Sequence, residues 1–279
     1  MNANATPLGL QRRHLLRAAG AAALCSVPLG WAQSGASSRL LINEAVTADL
    51  SISMLALRYK AWADYLAPQL KIKQVMVDPV IDIRRFVQQA LADEKPTVLF
   101  GKSVNQLAKL VRDHGYQPLV SRADPYRSAF IVARNSPIRD LGQLGGRKLL
   151  MPDEASATTA VAKAELRARG VREPYISHTR FQDSVASQVA MGMAEAGVVN
   201  PTIARRWKEA GGMVIGETQA VVNWSVLASP KAPPELAARL TETLLAMNSQ
   251  PALLADIGVK QWQKAGRREY LALLEYTGE

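Results

Sequence analysis

From Leu40 onward the chain alternates short apolar runs with amphipathic stretches of helical spacing, and it does so twice over. Leu40 to Val46 reads as a buried strand running into the polar loop Thr47-Ala48-Asp49. Leu55 to Leu66 follows with helical spacing, then a strand over Lys71 to Val77 and a helix over Asp82 to Ala92. A short strand over Thr97 to Phe100 stops at Gly101; a helix spans Val104 to His114, and the next strand begins at Gln117. Strands separated by single helices need crossover connections, so this order predicts a parallel-type sheet with helices on both faces. Another strand covers Tyr126 to Ala133. After residues 136–148 the alternation restarts. It reads as strands at Leu149–Met151, Tyr175–Phe181, Ala196–Val199 and Met213–Ile215, with helices at Ser156–Arg169, Ser184–Met191 and from Pro201. A last strand at Trp224–Ser229 leads into a long amphipathic helix opened by Pro233-Pro234-Glu235 and two further helical pieces ending near Tyr276. Such a chain suits two lobes of ~100–150 residues each, followed by a helical tail.

The first thirty or so residues stand apart. Arg12, Arg13 and Arg17 precede the mild apolar run Ala18 to Ala32 and its small-residue exit, the pattern of a signal peptide. The run is too short for a membrane span. Arg12-Arg13-His14-Leu15-Leu16-Arg17 resembles a twin-arginine export signal, departing from it at Gln11 and Leu15. Cleavage is expected after Ala32 or Ser34, giving a leader of residues 1–34 and a product exported to the periplasm. A lipid anchor on Cys25 is the competing reading; Leu24 stands against it. Cys25 is the single cysteine, so a mature chain has neither disulfide nor thiol nucleophile.

The formal charge is +10, from 34 basic and 24 acidic side chains. Such a field favours anionic ligands. The basic pairs Arg84-Arg85, Arg205-Arg206 and Arg267-Arg268 are far apart and lack interleaved aromatics, so nucleic acid is not expected as a partner. His114 and His178 are the histidines beyond the leader. Neither shows metal spacing or a nucleophile elbow, and no glycine-rich phosphate loop of the dinucleotide or nucleotide-triphosphate type occurs. No cofactor, metal or catalytic residue is expected.

The segment most suited to chemistry is Pro152-Asp153-Glu154-Ala155-Ser156-Ala157-Thr158-Thr159, which follows a strand and opens a helix. A helix start offers free N–H groups and the positive end of its dipole, and hydroxyls there add donors for an oxyanion. A plain N-cap accounts for the same residues equally well. Asn200 before Pro201 caps a second helix, and Trp224 stands at the start of the last strand.

Ser136-Pro137-Ile138-Arg139-Asp140-Leu141-Gly142-Gln143-Leu144-Gly145-Gly146-Arg147-Lys148-Leu149 resembles the segment that opens the second lobe of the solute-binding proteins of ABC transporters. Asp153 to Thr159 resembles the Asp-Pro-x-Ser-Thr-Ser-Gly loop of the phosphate/phosphite/phosphonate-binding members, and Gln182-Asp183-Ser184 and Gly192 to Val199 resemble two of their later segments. The resemblance implies the α/β, two-lobed type II periplasmic-binding fold, with two hinge crossings near Ser128 and Trp224 and a helical C-terminal tail. One lobe would hold residues 39–125 plus 225–279, the other 128–222. It implies a ligand cleft between them, lined by Asp49, Lys102 and Ser103 from the first lobe and by Ser156, Ala157, Thr158, Thr159, Asp183 and Asn200 from the second. Where the family has three consecutive hydroxyl residues, this chain has Ser156, Ala157 and Thr158, so one hydroxyl is missing, and Thr159 replaces a glycine. Asp183 stands where the family has a histidine, which suits a ligand amine such as that of an aminoalkylphosphonate; Lys102 can supply positive charge. The expected role is the periplasmic solute-binding component of an ABC-type uptake system for a small anion, phosphate-, phosphite- or phosphonate-like, monomeric and handing its ligand to an inner-membrane permease. A ligand-sensing partner of a membrane signalling protein is the alternative on the same fold. A lyase or dehydratase is a third reading, which the scarcity of histidine opposes.

Overall fold

Leu40, Leu41 and Ile42 are all fully buried, yet Leu40 and Ile42 pack into one apolar cluster and Leu41 into another. Successive strand side chains point to opposite faces, so this strand lies in a sheet covered on both sides. Phe130 and Val132 part from Ala129 and Ile131 in the same way farther along, which makes a second doubly covered sheet. The computed structural model describes residues 37–44, 50–92, 94 and 96–279. The expected leader and Asp49 lie outside the described residues.

The chain builds β1 (Ser37–Asn43), α1 (Ile52–Gln69), β2 (Gln74–Val80), α2 (Ile83–Ala90), β3 (Val98–Gly101), α3 (Val104–Asp113) and β4 (Gln117–Arg122). It continues with β5 (Ala129–Val132), β6 (Lys148–Met151), α4 (Ala157–Ala168), β7 (Tyr175–His178), α5 (Gln182–Ala190), β8 (Ala196–Val199), α6 (Pro201–Glu209) and β9 (Met213–Glu217). It ends with β10 (Ser225–Ala228), α7 (Pro234–Ala246), α8 (Pro251–Asp256), β11 (Trp262–Lys264) and α9 (Arg267–Thr277).

The first sheet has the order β11-β4-β10-β3-β1-β2 and the second β7-β6-β8-β5-β9. The parallel sheet expected from the alternation is therefore mixed. β1 is parallel to β2 and β3, but β10 is wedged antiparallel between β3 and β4, and β11 is antiparallel to β4. The reason is directional. β4 leaves the first sheet toward the second; β10 returns from there, so it must run the opposite way. β5 enters the second sheet by the same route and is antiparallel to β8 and β9. The strand expected over Tyr126 to Ala133 is correspondingly shorter, because Tyr126 belongs to the crossing segment.

The two crossings pair with each other. Tyr126 and Val221 exchange both backbone hydrogen bonds, at 2.9 and 3.0 Å, and Thr218 N–H donates to the Ser128 carbonyl at 2.9 Å. The tail carries the expected helices α8 and α9 but also β11, whose pairing with β4 was not foreseen. Its Trp262 completes an edge-to-face aromatic cluster with Phe100, Trp62 and Tyr59 under the first sheet.

At Gly101 a Cβ would stand 2.7 Å from Leu107 Cδ2. The missing side chain lets α3 seat directly against the end of β3, and this fixes where Lys102 and Ser103 emerge between the sheets.

Candidate functional site

Four helices begin at one small cavity between the two sheets. Its wall is formed by Lys102, Ser103, Tyr126, Ser156, Ala157, Thr158, Gln182, Asn200 and Trp224. Ser103 is the N-cap of α3, Ser156 of α4 and Asn200 of α6, while Gln182 is the first residue of α5. Each helix start carries N–H groups without intrahelical acceptors and about half a positive charge. Four such helix starts around one cavity give it a setting that favours negative charge.

The caps arise locally. Ser156 has extended backbone angles, and its Oγ accepts from Thr159 N–H at 3.2 Å. Asn200 Oδ1 accepts from Ile203 N–H at 3.0 Å, with Pro201 pre-set for the first helical position. Gln182 Oε1 accepts from the backbone N–H of Asn200 at 2.7 Å, and its Nε2 donates to Thr158 Oγ1 at 3.0 Å. Tyr126 Oη lies 2.5 Å from the same Thr158 oxygen. Burial holds the Tyr126 hydroxyl above its ordinary pKa, so it stays protonated.

Lys102 is the charged member of the wall. Its Nζ donates to Glu44 Oε1 at 2.6 Å and lies 4.2 Å from the Trp224 ring centroid. Glu44 is buried at the end of β1 and also receives the Tyr59 hydroxyl, with Arg58 Nη1 at 3.5 Å. Burial lowers the Lys102 pKa, and the Glu44 carboxylate pulls it back up in part. Arg122 also sits over Trp224, its Cζ 4.5 Å from the centroid, while its guanidinium grips Asp124. No acidic residue is among those that form the wall.

Six of the expected site residues meet here: Lys102, Ser103, Ser156, Ala157, Thr158 and Asn200. Thr159 does not. It is fully buried, and its Oγ1 donates to the Pro152 carbonyl at 3.1 Å, locking the turn before α4. Asp183 points away and accepts from Arg206 Nη2 at 3.1 Å on the outer side of α5. Asp183 is engaged with Arg206 and is not among the residues of the wall. Sequence reasoning missed Gln182, Tyr126 and Glu44. Gln182 was one position from the residue singled out, and consecutive helical positions face about 100° apart.

The cavity measures about 20 Å³, space for roughly one water. Asn105 and Gln106 on α3 both donate to the Ala155 carbonyl before α4, at 3.2 and 3.0 Å, and Arg84 stands 3.9 Å from Asp153. These contacts bridge the two halves beside the cavity, so the cleft is closed. A bigger hollow of about 340 Å³ behind the crossing segments includes Glu269 in its wall, together with Arg122, already held by Asp124; it is the poorer anion site. Among the described residues no cluster of three or more His, Cys, Asp or Glu could hold a metal ion, and no helix is long and apolar enough to cross a membrane.

A family model described as "ABC transporter, phosphonate, periplasmic substrate-binding protein" matches residues 45–270. No curated protein sequence matches. Among solved structures, a Xanthomonas citri protein bound to ATP superposes with a TM-score of 0.72 at 18% identity, covering 87% of this chain and 97% of its own. PhnD1 of Prochlorococcus marinus in complex with methylphosphonate gives a TM-score of 0.72 at 15% identity, with the same coverages of 87% and 97%. The binding component of a Pseudomonas aeruginosa ABC phosphonate transporter gives 0.68 at 14% identity, covering 86% of this chain and 85% of its own. The shared architecture is the two-lobed type II periplasmic-binding fold.

Proposed function

The chain belongs to the family of periplasmic substrate-binding proteins of phosphonate ABC transporters, and from that premise we propose that it captures a small phosphorus oxyanion, phosphonate- or phosphite-like, in the cleft between its two sheets. The observation that carries this reading is the meeting of four helix N-termini, with their caps Ser103, Ser156 and Asn200 and the α5 residue Gln182, on one cavity with no acid in its wall. An oxyanion there receives the N–H groups of the first turn of α4, the Ser156, Thr158 and Tyr126 hydroxyls, and the Lys102 ammonium. The protein performs no reaction in this reading. The lobes part along the paired crossing segments, take up the ligand and close on it, and the closed form is what an inner-membrane permease recognises. Residues 39–125 with 225–279 form one moving body and 128–222 the other. Residues 1–34 act as an export leader of twin-arginine type, and the mature protein works in the periplasm as a monomer.

The test is the melting midpoint of the protein against phosphite, methylphosphonate, 2-aminoethylphosphonate, phosphate and sulfate. A ligand of the folded state stabilises by about 2.7 kcal/mol at a hundredfold excess over Kd. A rise with a phosphorus oxyanion that disappears in Ser156→Ala/Thr158→Ala supports the site and the class together. A folded protein whose midpoint no oxyanion moves refutes the reading. The absence of an acid from the cavity wall further sets the expected order, with 2-aminoethylphosphonate below methylphosphonate.

A further inference from the structure

The hydrogen bonds around Gln182 have a definite polarity. The backbone N–H of Asn200 can only donate, so the atom of Gln182 that it meets at 2.7 Å is the carbonyl oxygen. The amide NH2 therefore faces Thr158 and donates to its Oγ1 at 3.0 Å. Thr158 and Tyr126 share one proton in their 2.5 Å contact, and each brings one. One of the two protons is left over, and both residues line the cavity. Ser128 reinforces the same sense, with its Oγ 3.4 Å from both Tyr126 Oη and the Thr158 carbonyl.

The rest of the wall repeats the pattern. Asn200 spends its carbonyl end on Ile203 N–H, which leaves its NH2 end to donate. Ser156 Oγ already accepts from Thr159 N–H. Ammonium and helix-start N–H groups are donors only.

We propose that Gln182 is a positioning residue that, anchored by the Asn200 N–H, holds the Thr158–Tyr126 hydroxyl pair as a net donor, so that the cleft selects a fully ionised oxyanion over the same head group carrying a hydroxyl proton. The inference rests on the oxyanion reading of the cleft. A protonated head group brings its own donor to the side of the wall where Gln182 and Asn200 have spent their carbonyl oxygens and Thr158 already accepts from Gln182, and a donor facing donors is an unmade bond in a desolvated site. The ligand class is a dianionic phosphonate or phosphite, whose three oxygens all accept; hydrogen phosphate, which retains a P–OH, is the disfavoured relative.

The experiment is the pH dependence of Kd for methylphosphonate across its second ionisation, with sulfate as a probe that takes up no proton there. For the wild-type protein, methylphosphonate affinity is expected to climb roughly tenfold per pH unit below that ionisation and to level above it, while sulfate affinity does not rise. The protein groups around the cavity pull otherwise. Lys102 loses charge as pH rises, which weakens anion binding, the opposite sign; Tyr126 stays protonated; Glu44 lies behind Lys102, and Arg122 sits beside Trp224. His178, bonded through Nδ1 to the Pro152 carbonyl at 2.8 Å, and Asp153 in the same loop are the remaining titratable neighbours. A His178→Asn variant should keep the profile.

In Gln182→Met the donor to Thr158 is gone without a change of charge, and the slope should flatten. In Gln182→Glu the carboxylate accepts from Thr158 and turns the hydroxyl pair round, so the monoprotonated ligand should gain on the dianion, while sulfate reports the plain charge penalty. A wild-type protein that binds methylphosphonate with no slope, or a Gln182→Met variant that keeps the full slope, overturns the inference and leaves the oxyanion cleft standing. Failure of the wild-type protein to bind any oxyanion removes the cleft reading itself.

Discussion

Replacing Glu44 by Gln isolates the role of the one charge in the cavity wall. Lys102 and Glu44 are 2.6 Å apart, with side chains 3% and 1% exposed. At that distance and an effective dielectric of about 20 their attraction is roughly 6 kcal/mol, most of which is cancelled by the several kcal/mol needed to desolvate each ion. Removing one partner of such a pair leaves the other charged and buried, at a cost of about 3–5 kcal/mol. The glutamine oxygen can stand in the Oε1 place and still accept from Lys102, while its NH2 faces the Tyr59 oxygen, which can accept; this places the loss near the lower end. For a chain of this size that is a fall in Tm of about 6–12 °C.

The deficit should shrink as pH is raised. Burial already holds the folded-state pKa of Lys102 below the unfolded value, and loss of Glu44 lowers it further. Between the two pKa values the unfolded chain binds a proton that the folded chain does not, so stability rises with pH. A bound oxyanion then becomes the partner that Lys102 lacks, and the variant should bind it about tenfold tighter than wild type, a difference of ~1.4 kcal/mol. Differential scanning fluorimetry with and without methylphosphonate, at neutral and alkaline pH, reads all three effects. A Tm loss under about 3 °C with an unaltered ligand shift would mean that the Lys102 charge is not felt in the cavity, and the electrostatic account of the site would fail.

Other substitutions probe separate steps. Gly101→Ala places a methyl 2.7 Å from Leu107 Cδ2 and should cost about 1–3 kcal/mol in urea unfolding; a neutral result would show that α3 is not held by this contact. Asn105→Ala/Gln106→Ala removes both donors to the Ala155 carbonyl. At about 0.5–1.5 kcal/mol each it should tip the ligand-free protein toward the open form, seen as a larger radius of gyration in small-angle scattering that ligand reverses. Asp183→Asn breaks only the half-exposed pair with Arg206 and should change stability by less than ~1 kcal/mol and leave Kd within the error of calorimetry; a marked loss of affinity would return Asp183 to the cleft.

The alternation of strands and helices was legible because both signals are local: apolar runs, helical spacing, and stops such as Gly101 and Gly170. The direction of β10 was not, since a four-residue run of buried residues, Ser225 to Ala228, looks the same whichever way its neighbours run. β11 escaped for a similar reason. Trp262-Gln263-Lys264 is a strand only because residues 120–122, far away in sequence, offer it an edge. In the site, the caps Ser156 and Asn200 could be read, because an N-cap is defined by the residues beside it. Gln182 could not be told from Asp183 without knowing which side of α5 faces α4. Tyr126 was hidden in an apparent strand, and Glu44 in an apolar one. A single Glu closing a buried run is nevertheless a signal: burying it requires partners, and here they are Lys102 and Tyr59.

The loop that opens α4 has Ala157 between the hydroxyl residues Ser156 and Thr158, and the structure shows what that methyl does. Ala157 is buried and packs with Val161 into the apolar cluster of the first sheet, beside residues such as Leu107 and Tyr270. Its methyl contributes to contact across the closed cleft, while its backbone N–H remains among the free donors of the first turn. Hydroxyl donors are supplied instead by Tyr126 from the crossing segment, held in place by Thr158, with Gln182 behind. The cavity wall thus includes a residue of the crossing segment itself, Tyr126. Tyr126 pairs with Val221 in the crossing and with Thr158 in the second half, so an anion held between them engages the crossing itself. In the proposed hinge motion, binding and closure would share these residues, and an anion held by Tyr126 and Thr158 would favour the closed form by as much as it binds that form better than the open one.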